Sequence, residues 1–207
     1  MKGKSLSYFI LFLSCFYQCQ AIGDVEITIY YSTLSPQVAE FFNVQVRKLY
    51  NNLAPYFSLE LVPNGMCDLT ISLYPPSFGL ECPRGKEELR VSEVHSCAVN
   101  LYSEKVSLEF VLCSMGSDPS NNEDFKKCAE SVGMSWKELK TCFEDVYGIL
   151  YQGVSYLKTK GNNPFITSDP TVFFNGYFNR TLQYDAITNL QGLVCEFLNN
   201  EPDACKE

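Results

Sequence analysis

From Val25 to Tyr31 the chain alternates, with Val25, Ile27, Ile29 and Tyr31 on one side and Glu26, Thr28 and Tyr30 on the other. A period of two, built from β-branched and aromatic residues, predicts a strand with one buried face. The period then lengthens. Ser35 suits a helix cap, Pro36 suits the first helical position, and Val38, Phe41, Phe42, Val46, Leu49, Tyr50 and Leu53 recur along one helical face. Ser58 to Val62 alternates again and stops at Pro63-Asn64-Gly65, a run with turn chemistry. Strand, helix, strand predicts the opening of a parallel or mixed sheet in an α/β protein.

The middle of the chain has a different pattern. After a stretch containing Pro75, Pro76 and Pro83, residues Lys86 to Lys160 read mostly as helix, interrupted at Gly116 to Pro119 and near Gly133. Val94, Cys97, Leu101, Leu108, Val111 and Leu112 fit a buried helix face, and Trp136, the only tryptophan, fits the core better than a ligand platform. Strand character returns at Thr171 to Phe174, then Asn175-Gly176, then Tyr177 and Phe178, the signature of a hairpin with a type I′ turn. A last helix is expected around Tyr184 to Leu198, with Ile187, Leu190, Val194 and Phe197 at helical spacing.

Composition narrows what such a chain can do. Its 207 residues suffice for one domain. Lys+Arg 16 against Asp+Glu 24 gives a net charge of -8, which lacks the positive footprint that nucleic-acid binding needs. A single histidine, His95, removes most catalytic triads, histidine-rich metal sites and histidine pH switches. It falls on a predicted helix and reads as a partly buried structural residue.

Met1 to Ala21 has the form of a secretory signal: Lys2 and Lys4, an apolar run from Leu6 to Tyr17, and small residues before a cleavage point after Ala21. The apolar run is about 12 residues, short of the roughly 20 that span a bilayer, and no later segment is long enough. Residues 22–207 then form one domain with a helical insertion at about 84–160. Cys15 and Cys19 depart with the leader, leaving Cys67, Cys82, Cys97, Cys113, Cys128, Cys142, Cys195 and Cys205. An even count in an oxidising compartment predicts four disulfides, with 105 possible pairings. A bond between Cys195 and Cys205 would staple the tail to the last helix. Zinc sites need ligand pairs two to four residues apart, and the closest pair here is ten apart, so neither metal nor cofactor is expected. Asn179-Arg180-Thr181 is a glycosylation sequon that marks Asn179.

The order of a β-α-β start, a helical insertion, a hairpin preceded by proline and a last helix is that of a thioredoxin-like fold with an inserted, disulfide-bonded helical subdomain. Val25-Glu26-Ile27-Thr28-Ile29-Tyr30-Tyr31, Leu61-Val62-Pro63-Asn64-Gly65, Cys82-Pro83-Arg84-Gly85 and Pro170-Thr171-Val172-Phe173-Phe174-Asn175-Gly176, in this order, resemble the gamma-interferon-inducible lysosomal thiol reductase family. The resemblance runs from Val25 to Cys205. It implies a protein-disulfide reductase of endolysosomes, with an immune role, acting through a Cys-x-x-Cys just after the first strand. The chain departs there, because those two positions fall on Ser35 and Val38. The family's second signature, Cys-Gln-His-Gly with a further cysteine four residues on, keeps Cys82 and Gly85 but has Pro83, Arg84 and Leu89 at the other places.

Thiol–disulfide exchange needs an attacking thiolate and a resolving thiol, and neither exists at Ser35 and Val38. A serine without a general base is no substitute, and Ser35 lacks the Gly-x-Ser-x-Gly setting of a hydrolase. No catalytic residue is therefore expected. Loss of the cysteine at Leu89, with the extra Cys67, leads to the expectation that Cys67 pairs with Cys82 across the proline-rich loop. By resemblance the Asp169-Pro170 bond is cis and the backbone before it pairs with an extended substrate. Alternatively, Pro170 only shapes the start of the strand. The leading expectation is a redox-inactive secreted or lysosomal glycoprotein that binds peptides or unfolded, disulfide-bonded proteins. The alternatives are an oxidoreductase using a different pair, such as Cys67 with Cys82, and a disulfide-stabilised immune or signalling module.

Overall fold

A three-stranded sheet in the order Phe57–Val62, Val25–Tyr30, Thr171–Phe174 forms the centre of the protein, and a computed structural model describes the chain across residues 25–74, 76–118, 120–162 and 166–206. The expected leader lies outside these residues. Strand β1 (Val25–Tyr30) pairs in parallel with β2 (Phe57–Val62), from Val25 opposite Phe57 to Tyr30 opposite Val62. It pairs antiparallel with β5 (Thr171–Phe174), from Ile27 opposite Phe174 to Tyr30 opposite Thr171. This register sorts the side chains by face. Val25, Ile27 and Ile29 join Phe57, Leu59, Leu61, Val172 and Phe174 in the main core, while Tyr30, Val62 and Phe173 form a smaller cluster on the opposite face.

The connection from β1 to β2 is helical from Pro36 onward: α1 (Pro36–Phe41), a π-helical turn (Phe42–Val46), α2 (Arg47–Leu53) and a 3₁₀ turn (Ala54–Tyr56). Its expected apolar face is buried at Val38, Phe41, Phe42, Val46, Leu49 and Leu53. Ser35 occupies the cap position with extended backbone, but its side chain makes no capping bond.

Strands β3 (Asp68–Leu73) and β4 (Pro76–Glu81) form an antiparallel hairpin inside the proline-rich stretch, and the Cys67–Cys82 disulfide closes its base. The helical insertion comes next: α3 (Gly85–Leu101), α4 (Glu104–Ser114), α5 (Asn122–Ser131), α6 (Trp136–Glu144) and α7 (Val146–Gly161). Gly116 and Gly133 take positive φ where breaks were expected; further breaks fall at Tyr102–Ser103 and at Asp145, whose carboxylate caps α7. Two disulfides hold the insertion, Cys97–Cys142 and Cys113–Cys128. The first spans 45 residues, and on the chain-entropy account a loop of that length contributes roughly 4 kcal/mol.

Asn175 and Gly176 both have positive φ, as a type I′ turn requires, but the returning strand reduces to a single bridge between Tyr177 and Phe174. The expected final helix is two, α8 (Arg180–Thr188) and α9 (Leu190–Phe197), because Asn189 leaves helical geometry and caps α9 through its side chain. Cys195–Cys205 pins the tail to α9.

His95 is fully buried rather than partly so. Its Nδ1 lies 3.1 Å from the Tyr31 hydroxyl and its Nε2 2.9 Å from Ser114 Oγ. Ser114 spends its hydroxyl proton on the Val111 carbonyl, so Nε2 carries the imidazole proton and Nδ1 accepts from Tyr31. This neutral network ties β1 to α3 and α4. Burial lowers the His95 pKa to about 3, while burial raises that of Glu93 to about 7 against an opposing pull from Arg90.

The two groups make opposite contributions to stability on acidification. Below pH 6.5 the unfolded chain gains a proton at His95 that the folded protein refuses, so that contribution is lost as pH falls toward 3. Between pH 7 and 4.5 the folded protein holds a proton on Glu93 that the unfolded chain releases, so that contribution grows. Urea unfolding at pH 7 and pH 5 is expected to show Glu93→Gln losing about 2 kcal/mol on acidification, wild type changing little because the two contributions offset each other, and His95→Gln gaining stability. A Glu93→Gln variant whose pH dependence matches wild type would contradict this.

Candidate functional site

The end of β1 is where a cis peptide bond and a positive-φ glycine meet. Ser32, Thr33 and Ser35, between β1 and α1, are each almost completely buried. The Asp169-Pro170 peptide bond is cis, and Asp169 Oδ1 accepts a 2.8 Å bond from the Ser32 amide. Pro170 is buried and leads directly into β5. From the other side Gly65 packs on Ser32 at φ +50°: a Cβ there would stand 2.6 Å from the Ser32 nitrogen and 2.7 Å from its Cα. Glycine is required by conformation and by space alike.

Neighbouring elements are locked to this junction. Asn64, fully buried, accepts from Gln152 on α7 at 3.1 Å and donates to the Cys67 carbonyl at 3.4 Å. Thr33 Oγ1 donates to the Glu88 carbonyl at 3.2 Å and lies 3.2 Å from Ser92 Oγ, both on α3. The Glu88 carboxylate, completely buried, accepts from the Arg84 amide at 2.9 Å and from its guanidinium at 3.0 Å. Cys82 is in a disulfide, and Gly85, at φ +76°, donates to the Cys82 carbonyl. These two residues of the Cys82-Pro83-Arg84-Gly85 run thus have structural work at the start of α3.

Ser35 and Val38 sit at the head of α1, next to the cis-proline loop's partner Ser32, and are 1% and 0% exposed. The hydroxyls of Ser32 and Ser35 are buried without a hydrogen-bond partner among the described residues. Neither is hydrogen-bonded to His95, whose nitrogens are committed to Tyr31 and Ser114. The eight cysteines from Cys67 to Cys205 are all in disulfides, and among the described residues there is no cluster able to hold a metal. The junction therefore presents neither a thiol nor an activated hydroxyl. Asp169 is half-buried and spends one oxygen on Ser32, so its carboxylate holds the loop together as well as facing the surface. Asn179 is exposed; its side-chain oxygen caps α8 by accepting from the Thr181 and Leu182 amides, which leaves its side-chain nitrogen outside the cap.

Residues 26–132, more than half of the chain, match the model of the gamma interferon inducible lysosomal thiol reductase (GILT) family. The chain belongs to this family. It is 27% identical over 214 residues to GILT-like protein 1 of Drosophila melanogaster, an alignment covering 95% of this chain and 85% of that protein. It is 24% identical over 196 residues to the gamma-interferon-inducible lysosomal thiol reductase of Carassius auratus, covering 91% and 75%. Among solved structures it is similar to Chlamydia trachomatis DsbA, with a TM-score of 0.59 at 13% identity over 84% of this chain and 90% of that one. The reduced form of the disulfide bond oxidoreductase DsbG from Mycobacterium tuberculosis gives 0.59 at 14%, over 88% and 84%. At that identity the likeness is one of fold, and the fold of this GILT-family chain is thioredoxin-like.

The residues that close the junction, Ser32, Thr33, Asn64, Gly65 and Glu88, were not singled out from sequence as a site. Gly65 was legible as a turn residue, but nothing in the string says that its missing Cβ faces Ser32. Gly65→Ala is expected to destabilise by at least about 2 kcal/mol in urea unfolding, and adding Ser32→Ala is expected not to rescue it, because the clash is with backbone. A Ser35→Cys variant is expected to resist iodoacetamide in the native state and to react once unfolded. Rapid native alkylation would show that position 35 is open.

Proposed function

We propose that this GILT-family protein has lost thiol–disulfide exchange and acts by binding extended segments of unfolded or disulfide-bonded proteins at the cis-proline loop. The observation carrying the reading is that position 35, where the family resemblance puts the attacking cysteine, holds a buried serine at the head of α1, while all eight cysteines from Cys67 to Cys205 are already bonded. An attacking thiolate must reach a sulfur. Cys67 and Cys82, the alternative pair, are 1% and 5% exposed, which weighs against their use as a redox couple.

Binding at Asp169-Pro170 is supported by the exposed neighbour Ser168, which places the loop at the surface, where an extended chain could pair with backbone other than the Ser168 carbonyl, itself taken by the Thr171 hydroxyl. The leader at 1–21, four disulfides and the exposed sequon at Asn179 support passage through the secretory pathway, ending outside the cell or in the endolysosome. Glycosylation at Asn179 belongs to the same proposal.

The test is to equilibrate the purified protein in glutathione buffers of graded potential, alkylate, and weigh it intact, alongside titration with a fluorescent unfolded polypeptide whose own cysteines are blocked. The expected results are no disulfide opening above about −300 mV and a saturable binding curve weakened about tenfold by Pro170→Ala. Reversible opening of Cys67–Cys82 at milder potential would overturn the loss of redox function. Absence of binding in wild type would overturn the client reading.

A further inference from the structure

Helix α7 is amphipathic in the reverse sense. Its buried residues are Gly148, Gln152, Ser155 and Thr159, at spacings of four, three and four. Gln152 accepts from Ser96 at 2.7 Å and donates to Asn64, and Ser155 lies 3.4 Å from Ser96 Oγ, so a polar seam is what faces the protein. The opposite face carries Val146, Tyr147, Ile149, Leu150, Val154 and Leu157, each between 44% and 67% exposed. Hydrophobic faces of helices in water are normally the buried ones. At about 150–200 Å² for a fully exposed side chain of this size, these six leave roughly 500–600 Å² of apolar surface in water, the upper end for a monomer.

Several features fit this face to a copy of itself. Val146, Leu150, Gly153 and Leu157 follow a four-three-four spacing, which makes a straight seam between two helices. Gly153 sits mid-seam, and a Cβ there would meet nothing within 4 Å, so it forms an open notch. In an antiparallel pair with its two-fold axis between positions 153 and 154, Val154 of each helix fills the other's Gly153 notch and Leu150 meets Leu157. The same arrangement sets the Asp145-capped start of each helix toward the basic end of the other, where Lys158 and Lys160 also pair with Glu60 and Asp68 of their own copy, and aligns the helix dipoles favourably. A parallel pair would place like charges together. Two such faces remove on the order of 1,000 Å², the lower bound of a specific interface.

We infer that the outer face of α7 is an interface between two copies of this chain, packed antiparallel about Gly153 and Val154. The inference is independent of the function proposed for the cis-proline loop.

Sedimentation velocity from about 1 to 100 μM, the range suited to an interface of this size, is expected to show a monomer–dimer equilibrium. Leu150→Glu and Leu157→Glu, each at an exposed position and with an unchanged circular dichroism spectrum, are expected to weaken it about tenfold or more. Val154→Cys, at the two-fold axis, is expected to form an intermolecular disulfide under mild oxidation. Tyr147→Cys is not, because the two copies of that position lie more than about 15 Å apart along an antiparallel pair. A wild-type monomer throughout the range, a dimer indifferent to both glutamates, or cross-linking through Tyr147→Cys as readily as through Val154→Cys would each overturn the inference.

Discussion

The close approach of Gly65 to Ser32 is the constraint on which the arrangement of this protein depends. It brings the turn after β2 against the end of β1 with no room for a side chain between them. Everything that follows is fastened to that contact. The Ser32 amide, on the far side, holds the cis-proline loop through Asp169, and the residue next to Gly65 reaches across to Gln152 in the helical insertion. Thr33, one residue on, is bonded to α3. Strand β5, the insertion and the hairpin are therefore positioned by Ser32 and Thr33 after β1 and by Asn64 and Gly65 in a turn.

That density of bonding explains why the junction is closed. In a thioredoxin-like fold the head of the first helix is where exchange chemistry needs an accessible sulfur, with a helix amino terminus to favour the thiolate. Here the same place holds two serine hydroxyls, buried and unpartnered among the described residues, each costing about 1–3 kcal/mol in lost solvation. A protein can carry such orphans when surrounding contacts over-determine the geometry, and Gly65, Asp169 and Thr33 supply them. Val38, the other position in question, lies in the main core beside Phe41 and Phe42, where an aliphatic side chain contributes by packing.

Periodicity made some of this legible and concealed the rest for identifiable reasons. The alternation of Val25 to Tyr31 and the helical face from Val38 to Leu53 read correctly because burial there follows the local period. Asn175-Gly176 announced its turn, but the strand after it failed because Phe178 and Tyr177 do not continue the ladder beyond one bridge. The β3–β4 hairpin was hidden by its prolines. Its alternating Leu69, Ile71 and Leu73 are 43%, 68% and 84% exposed, so the pattern marks a face turned to solvent and not a core strand. The break at Asn189 was hidden too, since apolar spacing continues across it while the backbone does not.

Helix α7 shows the deeper limit. Spacing tells which side chains share a face and is silent about which face points inward. From Val146 to Gly161 the apolar side chains form a clean stripe, yet the inward stripe is the polar one, because the space beside α3 and the Asn64 turn already contains hydrogen-bonding groups that an aliphatic face would leave unsatisfied. Ser96 and Asn64 are both fully buried, and each needs a polar neighbour. Gln152 serves both at once, donating to one and accepting from the other. Once Gln152 faces inward, Gly148, Ser155 and Thr159 follow by helical geometry, and the apolar residues are carried to the surface. The exposed stripe and the closed junction at Ser32 thus share an origin: the turn that seals the end of β1 requires a polar partner on α7, and supplying it turns that helix's hydrophobic side outward.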